Sequence, residues 1–531
     1  MDEIDTQKSV SKSAAHFITG TFISRFTGMI RDLCMAYFYG TSPAVAAFLI
    51  AFRLSNLLRR LLGEGALLNG FIPFFEAKRK ESPKRAAEFF RDLFWSLSII
   101  VILILIGAEI LLVTFLIFSD ISPGAREIMQ MTAVMLPGIF FICQFGLSMA
   151  LLECERNFFI PGVAPVAFNI VWIAAIFLFH NFSPFSAMLG ISTSIVMAFF
   201  LQWWVTIPHV RNYIQQFLSW REWMTPHIFA PELKNMVSPL LFGVVGVAAM
   251  QINSAFDIII ARFASLEGPA YLSYAHRLQQ LPLALFGIAI ASALLPPFTR
   301  AVKEENHERF KSLLSFGLLR TYSLLFPGTI AIFVLGCASV NLLYGRGLFT
   351  NVSTIHTTLC LWGYGIGLVP AAFVLLLAPA YYARRDFWTP TLGSILSVLV
   401  NFVLNLLMVF VLHFGEMSIA LCTSITAFIN MQFLLKRLPI PIIQELLPTF
   451  KKITIASLTA GLCVLCMGYF YFHDPSFVIF FQKTEMHFPR LFLEQMQHFV
   501  VLTSLFALVF LISCYILKVE EVLQFVRIKR K

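Results

Sequence analysis

Five arginines stand inside the first two long apolar stretches of this chain, and a sixth inside a later stretch that repeats the second. Arg25 and Arg31 lie in ISRFTGMIRDLCMAYF, Arg53, Arg59 and Arg60 in AFLIAFRLSNLLRRLLGEGALLNGF, and Arg277 in YAHRLQQLPLALFGIAIASALLPPF. A guanidinium is a permanent cation whose planar fork matches two oxygens of a phosphate. At bilayer depth it costs about 2.5–3.5 kcal/mol on insertion scales, so it persists only where it faces a partner or a water-filled cavity. The chemistry implied is capture of an anionic cargo by a cationic cavity inside a membrane.

Helical spacing decides which charges can act together. Arg53, Arg60 and Glu64 fall on one helix face, as do Arg25 and Asp32, with Arg31 beside Asp32. Glu64 and Asp32 read as internal counter-ions. The alternative for Arg25, Arg59 and Arg60 is that they lie near span ends and snorkel to the headgroups.

The elements that must carry these residues are membrane helices. Hydrophobic residues make up 58% of 531 positions and charged residues 13%, about half the charged fraction of a soluble domain. The apolar runs are long and continuous, which excludes barrel strands. The fold class is an all-α polytopic membrane protein with about fourteen spans. Their expected limits are 14–38, 44–76, 88–118, 126–152, 158–180, 186–208, 236–262, 269–298, 312–343, 354–382, 388–413, 416–435, 450–472 and 496–517. The amino-terminal segment lacks the pattern of a cleavable signal, so the first span is expected to be retained.

Lysine and arginine divide about 27 to 4 between the termini with the even-numbered loops and the odd-numbered loops. The positive-inside rule then places both termini in the cytoplasm and the 473–495 segment in the periplasm. The +10 net charge reads as topology and contact with anionic lipid, not as nucleic-acid binding.

The chain contains a duplication. RLSNLLRRLLGEGALLNGFIPFFEA aligns with RLQQLPLALFGIAIASALLPPFTRA at an offset of 224, pairing Arg53 with Arg277, Gly63 with Gly287 and Pro73 with Pro297. ERNFFIP aligns with RRDFWTP at an offset of 229, pairing Arg156 with Arg385. Two pseudo-symmetric six-helix lobes follow, over residues 1–225 and 226–440, with spans 13 and 14 and a basic tail in 441–531. Parallel repeats are a transporter architecture with the cargo site between lobes.

Other polar groups are open to two readings. Gln251, Asn253 and Asp257 in span 7, with Asn401 and Asn405 in span 11, could hold a small cation or simply tie helices together. Gly28, Gly63 and Gly65 permit bending or close packing. His276 could bond locally or titrate with cargo. The nine cysteines, including the Cys463–Cys466 pair, read as buried thiols.

SRFTGMIRD, AFLIAFRLSNLLRRLLGEGALLNGFIPFF, YAHRLQQLPLALFGIAIASALLPPF and LAPAYYARRDFWTP resemble the MurJ (MviN) lipid II flippase family of the MOP exporter superfamily. The resemblance implies two six-helix lobes around a cationic cavity, and two carboxy-terminal helices forming a groove for an undecaprenyl tail. It assigns Arg25, Arg31, Arg59 and Arg277 to the pyrophosphate and sugar head of the lipid-linked precursor, with Arg60, Glu64 and Gly65 in the same string. It also implies a sodium site at Asp257, Asn401, Asn405 and Thr423. The chain departs from the family pattern at Ala46, His276 and Gln280, where acidic residues are common. Asn405 takes the place of a possible carboxylate, which lowers the charge of the cation site.

The expected function is flipping of lipid II from the cytoplasmic to the periplasmic leaflet of the bacterial inner membrane, by alternating access and without enzyme chemistry. Arg53 joins the substrate-binding arginines by its spacing. The alternative is a MOP-superfamily exporter of another lipid-linked oligosaccharide or of a drug. A drug exporter would want acidic cavity groups, and a transferase clustered carboxylates or a metal-ligand set; the sequence offers neither. No cofactor is expected, the driving force being a sodium ion or the membrane potential. The expected partners are lipid II and membrane lipids, with the protein a monomer.

Overall fold

The computed structural model describes residues 7–62, 66–228, 230, 251–438, 442–472 and 488–526, with side chains for all of these except 7–18, 58–62, 66–70, 471–472 and 524–526. Among the described residues there are helices and no strands. The chain forms two compact units that divide between Ala255 and Phe256.

The first unit holds α1 (Gln7–Tyr39), α2 (Pro43–Leu62), α3 (Ala66–Glu81), α4 (Pro83–Phe118), α5 (Pro123–Met135), α6 (Gly138–Cys154), α7 (Phe159–Val163), α8 (Pro165–Phe179), α9 (Pro184–Trp204), α10 (Ile207–Gln215) and α11 (Trp220–Trp223). Ser-Pro pairs start three of these helices. Ser82, Ser122 and Ser183 stand at the N-cap and the following proline at the first helical position, where its missing N–H costs nothing and its φ is already helical.

The second unit holds α12 over 251–264, α13 (Gly268–Pro282), α14 (Ala289–Lys303), α15 (His307–Tyr344), α16 (Asn351–Ile366), α17 (Leu368–Ala383), α18 (Trp388–Leu406), α19 (Met417–Arg437), α20 (Ile442–Phe472), α21 (Phe492–Ile516) and α22 (Glu520–Val526). A π-helical stretch, Leu283–Ile288, joins α13 to α14, and another, Leu407–Val411, extends α18.

Among the described residues nine helices are long and apolar enough to cross a membrane. Two bent pairs, α5 with α6 at 46° and α16 with α17 at 42°, bring the number to eleven. Of the other three expected spans, 14–38 falls within α1, 44–76 within α2 and α3 apart from residues 63–65, and 236–262 is described only from 251 on, in α12. α4 shows why lipid must surround it. Ile102, Leu103, Ile106, Ile110, Leu111 and Phe118 are exposed on the carboxy-terminal stretch of the helix, whose one charged residue from Leu93 on is Glu109, and hydrocarbon accommodates such a surface.

Packing inside each unit relies on small residues. A Cβ at Gly20 would stand 3.0 Å from the Gly162 carbonyl carbon, so α1 and α7 meet at backbone distance. In the second unit, a Cβ at Gly461 would meet Ile330 at 2.6 Å. That close approach lets α20 and α21 join α15 around Val334, Leu335, Ala460, Val464, Leu502 and Phe506. Arg490, just before α21, donates to the carbonyls of Gly345 at 3.1 Å and Phe349 at 2.7 Å, and to Asn351 Oδ1 at 2.7 Å. The two carboxy-terminal helices are thus built into the second unit.

The duplication is visible in the backbone. Arg156 and Arg385 both adopt a left-handed conformation, with φ of 59° and 63°. Each closes its helix with the same pair of bonds. Asn157 N–H reaches the Leu152 carbonyl at 2.8 Å and Arg156 N–H the Glu153 carbonyl at 3.0 Å. Asp386 N–H reaches the Tyr381 carbonyl at 3.1 Å and Arg385 N–H the Tyr382 carbonyl at 2.9 Å. These are Schellman closures at the position the 229 offset pairs. Pro73 in α3 and Pro297 in α14 also sit within matched helices.

The aqueous end of the first unit carries charges the sequence did not distinguish from ordinary loop residues. Arg91 and Asp92 are buried. Arg91 Nε donates to Asp92 Oδ1 at 2.8 Å and its Nη1 to the Glu222 carbonyl at 3.0 Å, while His227 N–H donates to Asp92 Oδ1 at 2.9 Å. Lys84 donates to Glu222 Oε1 at 2.7 Å. That bond and the donors of Ser219 hold the Glu222 carboxyl down at about 2, so their contribution to attaching α11 to α4 weakens as pH falls below the ordinary carboxylate range toward that value.

Candidate functional site

In the first unit the bilayer-depth arginines separate into two kinds. Arg25 is exposed on α1 and Arg53 half-buried on α2. Arg31 is buried. Its Nε and Nη2 donate to Asp32 Oδ1 at 3.0 and 2.8 Å, and its Nη1 donates to Asn169 Oδ1 on α8 at 3.0 Å. The guanidinium also lies 4.3 Å from the centre of the Trp172 ring, where the π face attracts a cation. Asn169 Nδ2 turns back to α1, donating to the Ser24 carbonyl at 3.0 Å and to Thr27 Oγ1 at 2.9 Å. Arg31 thereby ties α1 to α8, and Asp32 is its counter-ion.

Sequence reasoning did not anticipate Asn169 and Trp172. The available signal was an amide and an indole three residues apart in the apolar run PVAFNIVWIAAIFLF. Arg59 and Arg60 lie on the last turn of α2 with side chains outside the described residues, and Gly63, Glu64 and Gly65 lie outside them altogether. Ala46 is fully buried.

In the second unit Arg277 is exposed on α13. His276 pairs through Nε2 with Gln280 Nε2 at 3.2 Å, and its ring centroid lies 5.3 Å from that of Tyr364. The local-bonding reading of His276 therefore describes its position here.

The second polar group forms one cluster across three helices. Asp257 on α12 accepts from Asn401 Nδ2 and Asn405 Nδ2 on α18, both at 2.7 Å on Oδ1. Thr423 Oγ1 on α19 faces Asp257 Oδ2 at 3.5 Å. All four expected residues converge, and Asp257, Asn401 and Asn405 are buried. Asn405 Oδ1 is buried with no hydrogen-bond partner among the described residues. As found, both amides present N–H donors to Asp257, so the carboxylate is answered by hydrogen bonds that tie α12 to α18. Arg262, on the same helix as Asp257, donates to the Leu266 carbonyl.

Among the described residues no group of three or more His, Cys, Asp and Glu side chains could hold a metal ion. The cysteines are free thiols. Cys463 and Cys466, expected to be buried, instead lie on the outer face of α20. A CxxC spacing puts both on one side of a helix, and that side is not covered by α15 or α21 here.

Two repeated bundles of apolar helices, with arginines in apolar helices of both and two helices added to the second, define a polytopic membrane protein built from an internal duplication. The profile of the family described as "Lipid II flippase MurJ" matches residues 35–488, and the chain belongs to that family. It is 32% identical over 488 residues to the probable lipid II flippase MurJ of Chlamydia pneumoniae, covering 90% of this chain and 87% of the relative. It is 27% identical over 419 residues to the lipid II flippase MurJ of Burkholderia cenocepacia, covering 77% and 80%. Its fold is similar to a solved lipid II flippase MurJ in an inward closed conformation, with a TM-score of 0.75 at 22% identity over 94% of this chain and 98% of that one. It is also similar to an inward-facing multidrug resistance MATE transporter of the MOP superfamily, with a TM-score of 0.61 at 13% identity over 77% and 92%. The family is one of transporters, not enzymes.

The different surroundings of the arginines should separate in a stability measurement. Arg31→Ala removes the cationic half of a buried pair and should destabilise the protein by about 2–4 kcal/mol, seen as a lower thermal midpoint in detergent. Arg25→Ala should leave the midpoint unchanged. Equal midpoints for the two would mean the Arg31 network carries no structural load.

Proposed function

We propose that this chain flips lipid II, an undecaprenyl-pyrophosphate-linked disaccharide peptide, from the cytoplasmic to the periplasmic leaflet of the bacterial inner membrane. The observation that carries the reading is the presence of exposed cations within apolar spans of both units, Arg25 on α1 and Arg277 on α13. A pyrophosphate supplies the anionic oxygens such groups bind. Membership of a family named for lipid II agrees with this cargo.

The headgroup enters a cationic cavity open to the cytoplasm, with Arg25, Arg53, Arg59, Arg60 and Arg277 as ligands and Glu64 as counter-ion. Neutralising the arginines lowers the cost of closing around them, and the lobes rock to open outward while the tail remains in lipid. Cargo drives this only through its difference in affinity between the two states. The protein works as a monomer with both termini in the cytoplasm. A membrane-impermeant thiol reagent applied to spheroplasts, on a background without native cysteines, should label Asp120→Cys and spare Lys80→Cys; the reverse pattern would invert the orientation.

Arg277→Ala should abolish complementation of a flippase-depleted strain while insertion and folding stay normal. Loss of one charge-assisted bond of about 1.5–3 kcal/mol corresponds to at least a tenfold fall in flux. Arg277→Lys should recover part of it, since the charge returns without the fork. Full complementation by the alanine variant would remove Arg277 from the site.

Membrane potential supplies the drive, at about 2.3 kcal/mol per charge per 100 mV. The Asp257 cluster binds cations weakly, because one carboxylate and two amides attract a cation less than two carboxylates would. In proteoliposomes at fixed potential, replacing sodium with choline should change flux by no more than about twofold. A large loss, reproduced by Asp257→Asn, would make the cluster a working coupling site.

A further inference from the structure

A second buried carboxylate of the second unit lies outside the cargo and cation clusters. Glu416 immediately precedes α19 and is 4% exposed. Its Oε2 accepts from Ser265 Oγ at 3.0 Å, on the turn that follows α12. Its Oε1 meets Nδ1 of His356 on α16. The His356 ring stacks on Tyr271 of α13, with centroids 5.0 Å apart and planes at 18°. One carboxylate therefore fastens the ends of α12, α16 and α19, and α13 backs the imidazole. Two of these helices, α12 and α19, are the ones whose mid-span groups meet at Asp257.

We propose that His356 and Glu416 form a proton-binding site that clasps this end of the second unit. With the carboxylate ionised, Nδ1 must carry the hydrogen that it donates, and Nε2 is left as the basic atom. The His356 side chain is 35% exposed and the Glu416 side chain 6%, so the imidazole links a buried charge to water. Uptake of one proton from water at Nε2 converts the imidazole to an imidazolium and takes the pair from a net charge of −1 to zero. In a poorly solvated setting this turns a neutral hydrogen bond into a charge-assisted one and compensates the buried carboxylate. The clasp is tighter with the imidazole protonated and looser with it neutral. On the topology proposed above, the proton comes from the periplasm.

The other titratable or charged groups on the packed elements include Asp257, Arg262 and Glu267 in and just after α12, Tyr271, Tyr274, His276 and Arg277 on α13, Cys360 and Tyr364 on α16, Cys422, Lys436 and Arg437 on α19 and His413 in the α18–α19 connection. Tyr344 and Arg346 stand at the end of α15. Arg262 bonds the Leu266 carbonyl and Arg346 the Leu342 and Leu343 carbonyls. Among the described residues His356 is the basic side chain in contact with the Glu416 carboxylate.

Amide hydrogen exchange of the full-length protein in nanodiscs, at about pH 5.5 and about pH 8 and corrected for chemical exchange rate, tests the site across the imidazole range. Peptides covering 262–271, 351–360 and 412–420 should lose about tenfold in protection at the higher pH, the difference between a charge-assisted bond and a neutral one. His356→Gln and Glu416→Gln should each make those peptides insensitive to pH, while peptides from 289–303 remain unchanged throughout. Wild-type protein without the pH dependence would overturn the proposal, whether or not the variants fold. So would a His356→Gln protein that keeps it. No cargo enters the measurement, so its outcome is separate from that of the flippase reading.

Discussion

The constraint on which the rest depends is the inability of the bilayer interior to solvate charge. A helix apolar all round needs no partner there, and α4 presents its leucines and isoleucines outward without penalty. A charged side chain at the same depth must be answered by another group. Arg31 is answered by Asp32, Asn169 and Trp172. Asp257 is answered by two asparagine amides. Each answer joins helices that are distant in sequence, so the polar minority determines which helices are neighbours as well as what chemistry the spans can do.

The same constraint gives two related halves different roles. The Schellman closures at Arg156 and Arg385 preserve the ancestral similarity in backbone form. The polar interiors have diverged. The first unit buries Arg31 against an amide and an indole and pairs Arg91 with Asp92, whereas the second buries Asp257 beneath two amides and Glu416 beneath a histidine and a serine.

Close packing sets how far these groups can reach one another. Gly20 against Gly162 and Gly461 against Ile330 bring helices to distances a side chain would prevent. Only at such separations does a short amide or hydroxyl span the gap. Asn169 can then bond the Ser24 carbonyl directly, and Ser265 the Glu416 carboxylate, at 3.0 Å each.

The amino-acid order by itself determined the all-α membrane class, the duplication and which charged side chains stand within the apolar spans. These follow from apolar run length, from a fixed offset and from helical spacing, which are local or self-comparing properties. It placed Cys463 and Cys466 in a span, but only tertiary structure showed that this face of α20 is left uncovered. It named Arg31 as one cation among six. Asn169 and Trp172 stand 138 and 141 positions away, and only the folding of α8 against α1 made that arginine part of the frame. His356 and Glu416 are likewise an unremarked loop-end pair until three helix ends meet. A charge declares its presence in the sequence, but its partner is decided by which helices pack together, and that depends on side-chain fit across the whole unit.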